Sequence, residues 1–365
     1  MRRLMATGFV LLLMLLLAVG IVSAENWDEV IELAKQEGRL VVYTSVGRIA
    51  QSAEAFQEKY GIEVEVYNLR DFEIVHRIAQ EYRSQIYNVD LAVIENVPAI
   101  ITQLVRPGYM YNYMPPTMKD VIPEEHQDPL VMAFVSRVFG YNTEVYAEDP
   151  FESIWDLTLP EWQGKVMLRD PALTGDHINF FTELVRRSDV LEQEYERRFG
   201  NPLELREENA AYEFLRRLVQ NDLVIMTSDT RIAEAIGTRG QTEPPVGMFY
   251  VYSKHRDIPA QDLALQESRN IQPFLGYYYK VLIQIASQAR NVNAAKLFTE
   301  FLLTEEGFKP FQDSPGFYST NPNIEVIWPG DEPWSYWEDK LWTYDYDFAI
   351  RNRGEVLDFW QSIAN

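Results

Sequence analysis

The sequence has no cysteine, so disulfides and thiolate sites are both impossible. In an oxidising compartment that absence also avoids mispairing. Histidine is scarce: His76, His126, His177 and His255 show neither an HExxH motif nor metal-ligand spacing. A GxSxG elbow, a Walker A loop and a GxGxxG fingerprint are missing as well. Asp345-Tyr346-Asp347 lacks the remaining ligands and the glycine of an EF-hand loop. The chain therefore reads as a protein that is not an enzyme and has no resident cofactor. Positive charge is also short, with 33 Lys and Arg against 55 Asp and Glu and a formal charge of −22. Such a surface argues against nucleic-acid partners and fits a freely diffusing protein, expected to be a monomer.

Long apolar runs are missing except at the start. Arg2 and Arg3 precede FVLLLMLLLAVGIV at 9–22, and Val22-Ser23-Ala24 has the small-residue exit of a signal-peptidase site. The expectation is a signal peptide over 1–24 and a periplasmic or extracytoplasmic mature protein. The alternative is an uncleaved anchor, since the run is near the lower limit for a spanning helix. No Cys follows it, which excludes a bacterial lipid anchor there.

What remains is too long for one ordinary domain and suits two of about 150 residues each. At 47% hydrophobic residues it can fill two cores. Strand and helix signals alternate. A helix capped by Asn26 and stopped by Gly38 leads to the strand Leu40–Tyr43. A helix over 48–60, a strand over 62–67, a helix over 72–83, a strand over Val89–Ile94 and a helix opened by Pro98 follow. This order predicts a parallel sheet with helices on both faces and ligands beyond the carboxyl ends of its strands.

A second module begins after the proline-rich stretch at 115–129. The apolar run 131–141 suits a strand crossing between lobes. Strands at 165–168, 223–226 and 246–252 alternate with helices at 176–187, 208–220 and 229–238. The strand Tyr277–Ala286 and the amphipathic helix 293–303 then return the chain to the first lobe, so that crossing strands form a hinge. The expected division is 25–130 with 271–315, then 131–270, then a tail 316–365. That tail carries Trp328, Trp334, Trp337, Trp342 and Trp360, read as rings buried against a lobe or, alternatively, as a docking surface.

Four turns are candidate ligand contacts. The first strand ends in Thr44-Ser45-Val46-Gly47, of which Thr44, Ser45 and Gly47 offer hydroxyls and backbone at a helix start. The third ends in Glu95-Asn96, where a carboxylate can meet a cation, a metal or a ligand hydroxyl. The second module supplies Thr174, Gly175 and Asp176 at one helix start, and Ser228, Asp229 and Arg231 at another. Each turn also reads as a plain helix cap. Their expected meeting at one crevice is what favours ligand contact.

Several stretches resemble bacterial extracellular solute-binding proteins of the ferric-ion-binding type: EGRLVVYTSVG (37–47), VDLAVIENVPAI (89–100), SIWDLTLPEWQGKVMLRDP (153–171), NDLVIMTSD (221–229) and NVNAAKLFTEFLLTEEG (291–307). The resemblance covers roughly 27–325. It implies a two-lobed, type II periplasmic-binding-protein fold of α/β class. It further implies a receptor that closes on its ligand and docks on the permease of an ABC importer. The group includes binders of ferric ion, thiamine, polyamines, phosphonates and sugar phosphates. Glu95 matches the Glu of its ferric-binding members. Gly47 stands about where their His would be, and Asp229-Thr230 where their Tyr pair would be. Glu95 and Asp229 are thus the candidate metal ligands, with iron(III) or another metal as cargo. The loss of the Tyr pair moves the expectation toward a metal complex or a phosphorylated or amine solute. A ligand-presenting partner of a membrane sensor, or a secreted hydrolase or lyase using cleft carboxylates, are the other readings.

Overall fold

The computed structural model describes residues 26–172, 175–325 and 328–364. The signal-peptide expectation for 1–24 and the candidate Thr174 lie outside them.

The first half builds β1 (Arg39–Thr44), β2 (Glu63–Asn68) and β3 (Leu91–Ile94), alternating with helices α1 (Trp27–Glu37), α2 (Ile49–Tyr60) and α3 (Asp71–Arg83). β1 pairs in parallel with β2 on one side and β3 on the other. All four residues of β3 are buried, as the continuous apolar run LAVI requires, whereas β2 lies at the edge and has no fully buried residue. A short helix, Val97–Ile100, follows β3 and continues into a π turn.

The strand β4 (Val131–Asn142) is buried at every one of its 12 positions. It leads into a second half with β5 (Val166–Arg169), α4 (Gly175–Arg186), α5 (Ser188–Phe199), α6 (Ala210–Gln220), β6 (Val224–Met226), α7 (Asp229–Gly237) and β7 (Val246–Val251). Here β5 pairs in parallel with both β6 and β7. The chain then returns through β8 (Gly276–Ala286), α8 (Val292–Leu302) and α9 (Glu305–Gln312). α8 packs on α1 and α9 on α2. The Glu37 carboxylate accepts from the Asn293 and Ala294 amides at 3.2 and 2.7 Å, capping α8 from the first half.

One continuous sheet in the order β2-β1-β3-β8-β4-β7-β5-β6 joins the two lobes. Its middle is the antiparallel pair β8 and β4, with β8 also pairing β3 and β4 also pairing β7. These two long strands are the crossings between lobes. Beyond them, Leu341–Trp342 pairs with the start of β8, and a final helix α10 (Tyr346–Ala364) packs on α4, α6 and the short helix Val97–Ile100. Trp337, Trp342 and Trp360 are buried. Among the described residues no helix is long and apolar enough to cross a membrane.

The crossing strands approach closely where Gly276 faces Val138. Gly276 has φ +146°, and a Cβ added there would lie 2.0 Å from the Arg137 carbonyl oxygen. Gly276→Ala should therefore cost roughly 3 kcal/mol of stability, read from the urea midpoint. A midpoint equal to that of the parent would show that the strands have room for a methyl group.

Candidate ligand-binding cleft

The cleft is built around a cation in an apolar strand. Arg137 lies inside β4 and is 2% exposed. A guanidinium in such a place is tolerated only when paired and hydrogen-bonded. Its Nε donates to Asp176 Oδ2 at 2.6 Å, and Nη1 donates to Asp229 Oδ1 at 2.8 Å and to the Phe249 carbonyl at 3.1 Å. Both aspartates occupy first turns, Asp176 in α4 and Asp229 in α7, where the helix dipole favours negative charge. The second oxygen of Asp229 accepts from Arg169 Nη1 at 2.7 Å, at the end of β5. The second lobe thus presents an alternating row, Asp176, Arg137, Asp229, Arg169.

Burial alone would raise both aspartates, but Arg137 and the charges beside it hold them below the ordinary range, Asp176 at about 2. Burial, reinforced by Arg137, drives His177 down to about 3 and keeps it neutral. The Tyr277 hydroxyl donates to Asp176 Oδ2 at 3.0 Å, so His177 Nδ1–H donates to the Tyr277 oxygen at 2.8 Å. Nε2 of His177 is left as an acceptor, buried and without a partner among the described residues.

The first lobe supplies a different wall. Asp71 opens α3, and Glu95 follows β3. Burial, then the charges of Asp71 and Asp176, pushes Glu95 well above the usual carboxylate range. Burial also pushes Asp71 up, with Asp176 adding to the rise and the nearby Ser45 hydroxyl opposing it. Between the walls lies a cavity of about 720 Å³. First-lobe lining comes from Ser45, from Asn68 to Glu73, and from Glu95-Asn96. Arg169, Gly175-Asp176 and Thr227 line it from the second lobe, with Arg137 from the hinge and Arg353 from α10. Ser45 Oγ, Asp71 Oδ1, Arg169 Nε and Arg353 Nε are buried without a well-formed hydrogen bond to any described residue. Such convergent donors and acceptors suit a small ligand carrying hydroxyl and anionic groups. A larger groove along the outside of α3, about 1110 Å³, is lined by Phe72, His76 and Arg77 and has no comparable buried charge row.

Three of the four candidate turns line this cavity through candidate residues, and the fourth reaches it only through Thr227. Ser45, Glu95, Asn96, Gly175 and Asp176 line it. Thr44 is fully buried, and its Oγ1 donates to the Val93 carbonyl at 2.8 Å, tying β1 to β3. Gly47 is exposed beside Asn68 and is not in the lining. Ser228 Oγ caps α7, accepting from the Arg231 amide, and the Arg231 side chain is exposed away from the cavity. Asp229 lies behind the wall, holding Arg137 and Arg169. Of the two candidate metal ligands, Asp229 has both its oxygens accepting from arginines. Among the described residues no three of His, Cys, Asp and Glu are grouped to hold a metal ion.

Arg137, Arg169, Asn68, Asp71 and Arg353 are additions to the sequence-based set. Asn68 and Arg169 end strands, so the rule that selected Ser45 and Glu95 also selects them. Arg137 is marked by being the single charge in VMAFVSRVFGY.

The lobes touch here. A Cβ on Gly175 would lie 2.4 Å from Asn96 Nδ2, and Asn179 Nδ2 donates to Asn96 Oδ1 at 3.4 Å.

No protein-family model matches the chain. An uncharacterised protein of Haemophilus influenzae is 24% identical over 350 residues, covering 90% of this chain and 91% of its own. Iron-bound HitA from Pseudomonas aeruginosa superposes with a TM-score of 0.71 at 17% identity, over 90% of this chain and 99% of its own. The periplasmic binding protein AfuA from Actinobacillus pleuropneumoniae, solved with fructose-6-phosphate, gives 0.68 at 21%, over 90% and 98%. Trichodesmium IdiA (FutA), in complex with iron and citrate, gives 0.65 at 14%, over 89% and 99%.

Glu95 carries a pH signature. Its folded pKa is raised, so the folded chain binds more protons than the unfolded one above the ordinary value of 4.5, and stability falls as pH rises from there. Glu95→Gln should raise the ligand-free melting temperature at pH 7, with the gain vanishing below about pH 4. Equal melting temperatures at pH 7 would show that Glu95 is not held in its neutral form.

Together, the sheet order, the crossing strands and the superpositions show that the chain has the two-lobed, type II periplasmic-binding-protein fold.

Proposed function

We propose that the chain is the solute receptor of an ABC importer, exported as a monomer, which closes its lobes on a small phosphorylated organic anion. The observation that carries this reading is the 720 Å³ cavity at the strand ends, where both lobes and the hinge aim polar groups at one space. Residues 25–130 with 271–315 form one closing body and 131–270 the other. Closure brings Asn96 against Gly175, excludes water and strengthens each polar contact. The closed form then docks on permease subunits.

The donor set favours an organic anion, or iron(III) inside an anionic complex, over a bare ferric ion. Arg169, Arg353 and Ser45 line the cavity, each with a buried polar atom that has no partner among the described residues, and both oxygens of Asp229 are occupied. Arginine forks match phosphate and carboxylate oxygens, and the raised carboxyls of Asp71 and Glu95 suit ligand hydroxyls. That AfuA was solved with fructose-6-phosphate supports this class, and the iron and citrate with IdiA support the complex. A catalytic reading is weaker, because Asp176 and Asp229 are committed to arginines and are not free as bases.

Thermal unfolding across sugar phosphates, inorganic phosphate, polyamines, thiamine and ferric citrate tests the reading. A phosphorylated member should stabilise by about 2.7 kcal/mol at a hundredfold excess over its Kd. A folded protein that no class stabilises would overturn it.

A further inference from the structure

We infer that the C-terminal helix is part of the ligand site and that Arg353 on it binds the anionic group of the solute. The inference rests on the reading of the interlobe cavity as a solute site. Helix α10 places Ala349, Arg353, Val356 and Trp360 at helical spacing, and Ala349, Val356 and Trp360 are buried. Arg353 therefore stands on the stripe that faces the body of the protein. A surface helix keeps its charges on the other face, so a cation on this stripe calls for an explanation.

No carboxylate explains it. Arg137 and Arg169 are matched by Asp176 and Asp229, whereas Arg353 makes no ion pair among the described residues. Its Nε is buried without a hydrogen-bond partner among them, and its side chain borders the cavity beside Arg169 and Asp176. Burial lowers its pKa, with only the Tyr344 hydroxyl working against that. A guanidinium that borders a cavity, carries no ion pair among the described residues and keeps a buried N–H without a partner is matched by a phosphate or carboxylate that accepts two parallel hydrogen bonds.

The helix is held by both lobes. It packs on α4 and α6 of the second and on the short helix Val97–Ile100 of the first, beside Glu95-Asn96. Phe181 packs against Trp360, and Tyr212 against Phe359, fastening it to the second lobe. Arg353 thus arrives with the second-lobe wall and meets the anion as the first lobe closes.

The test uses the full mature chain with inorganic phosphate as probe, at constant ionic strength against chloride. Melting temperature and the arginine Nε–H nuclear magnetic resonance signals are followed for the parent, Arg353→Lys and Arg353→Met. Phosphate should stabilise the parent and, more weakly, the lysine variant. The Nε–H signal missing from both variants should move with phosphate. Phosphate affinity of the methionine variant should fall about 30-fold, as expected for losing charged hydrogen bonds. Equal stabilisation of the parent and Arg353→Met, or an Arg353 signal that phosphate does not move, overturns the inference. Should the methionine variant not fold, the signal in the parent decides. Phosphate acting at Arg353, with no solute in the wider panel binding, would leave this site standing and sink the receptor reading instead.

Discussion

Arg137 stands on a strand that passes between the lobes, shielded from water, and its charge has to be met by groups from elsewhere in the chain. Two helix starts, α4 and α7, bring Asp176 and Asp229 to it. Buried ion pairs of this kind add little net stability, but a misplaced partner is costly, so they specify position. The result is that both helix starts are drawn to the hinge, and Arg169 is drawn after them through Asp229. The second-lobe wall is thereby fixed by contacts within the protein itself.

The first-lobe wall has no such neutralisation. Asp71 and Glu95 are pushed toward their neutral forms by burial, and Ser45 offers a hydroxyl without a settled partner. Carboxyls whose pKa burial raises, beside a hydroxyl without a settled partner, are less fixed in their hydrogen bonding than a locked row of charges. One side of the cleft is therefore a locked ionic row, whereas on the other Asp71, Glu95 and Ser45 are without such partners.

Much of the architecture was legible before the fold was known. The continuous apolar run at 131–141 reads as a buried crossing strand, and β4 occupies 131–142. The returning strand and the helix after it were equally plain, because a fully buried strand needs an uninterrupted run and α8 has a clean apolar face. Helix α5 was not legible, since it buries only Leu191 and Glu194. α10 was obscured by its tryptophans, which signal burial without a period. At the site, strand ends pointed to Ser45, Glu95 and Asn96, and a helix start to Gly175 and Asp176. Asp229 shows where sequence reasoning stops: it lies in the expected turn, yet its partners Arg137 and Arg169 are distant in the chain and claim both its oxygens. A residue type and a turn can be read from sequence, but not the charge that lies across from it.

Strand β8 sits between β3 and β4, with Leu282 beside Ile94 and Lys280 beside Phe134. The sheet of the first lobe is therefore incomplete until a segment from far along the chain has been made, and α8 and α9 must still cover α1 and α2. Pairings this distant in sequence close slowly, because the loop entropy is spent before the contacts form. The amino-terminal lobe, though synthesised first, cannot finish folding first. A nascent chain with this topology stays open while most of its length is made, which is the condition a polypeptide needs if it is to be threaded through a narrow pore.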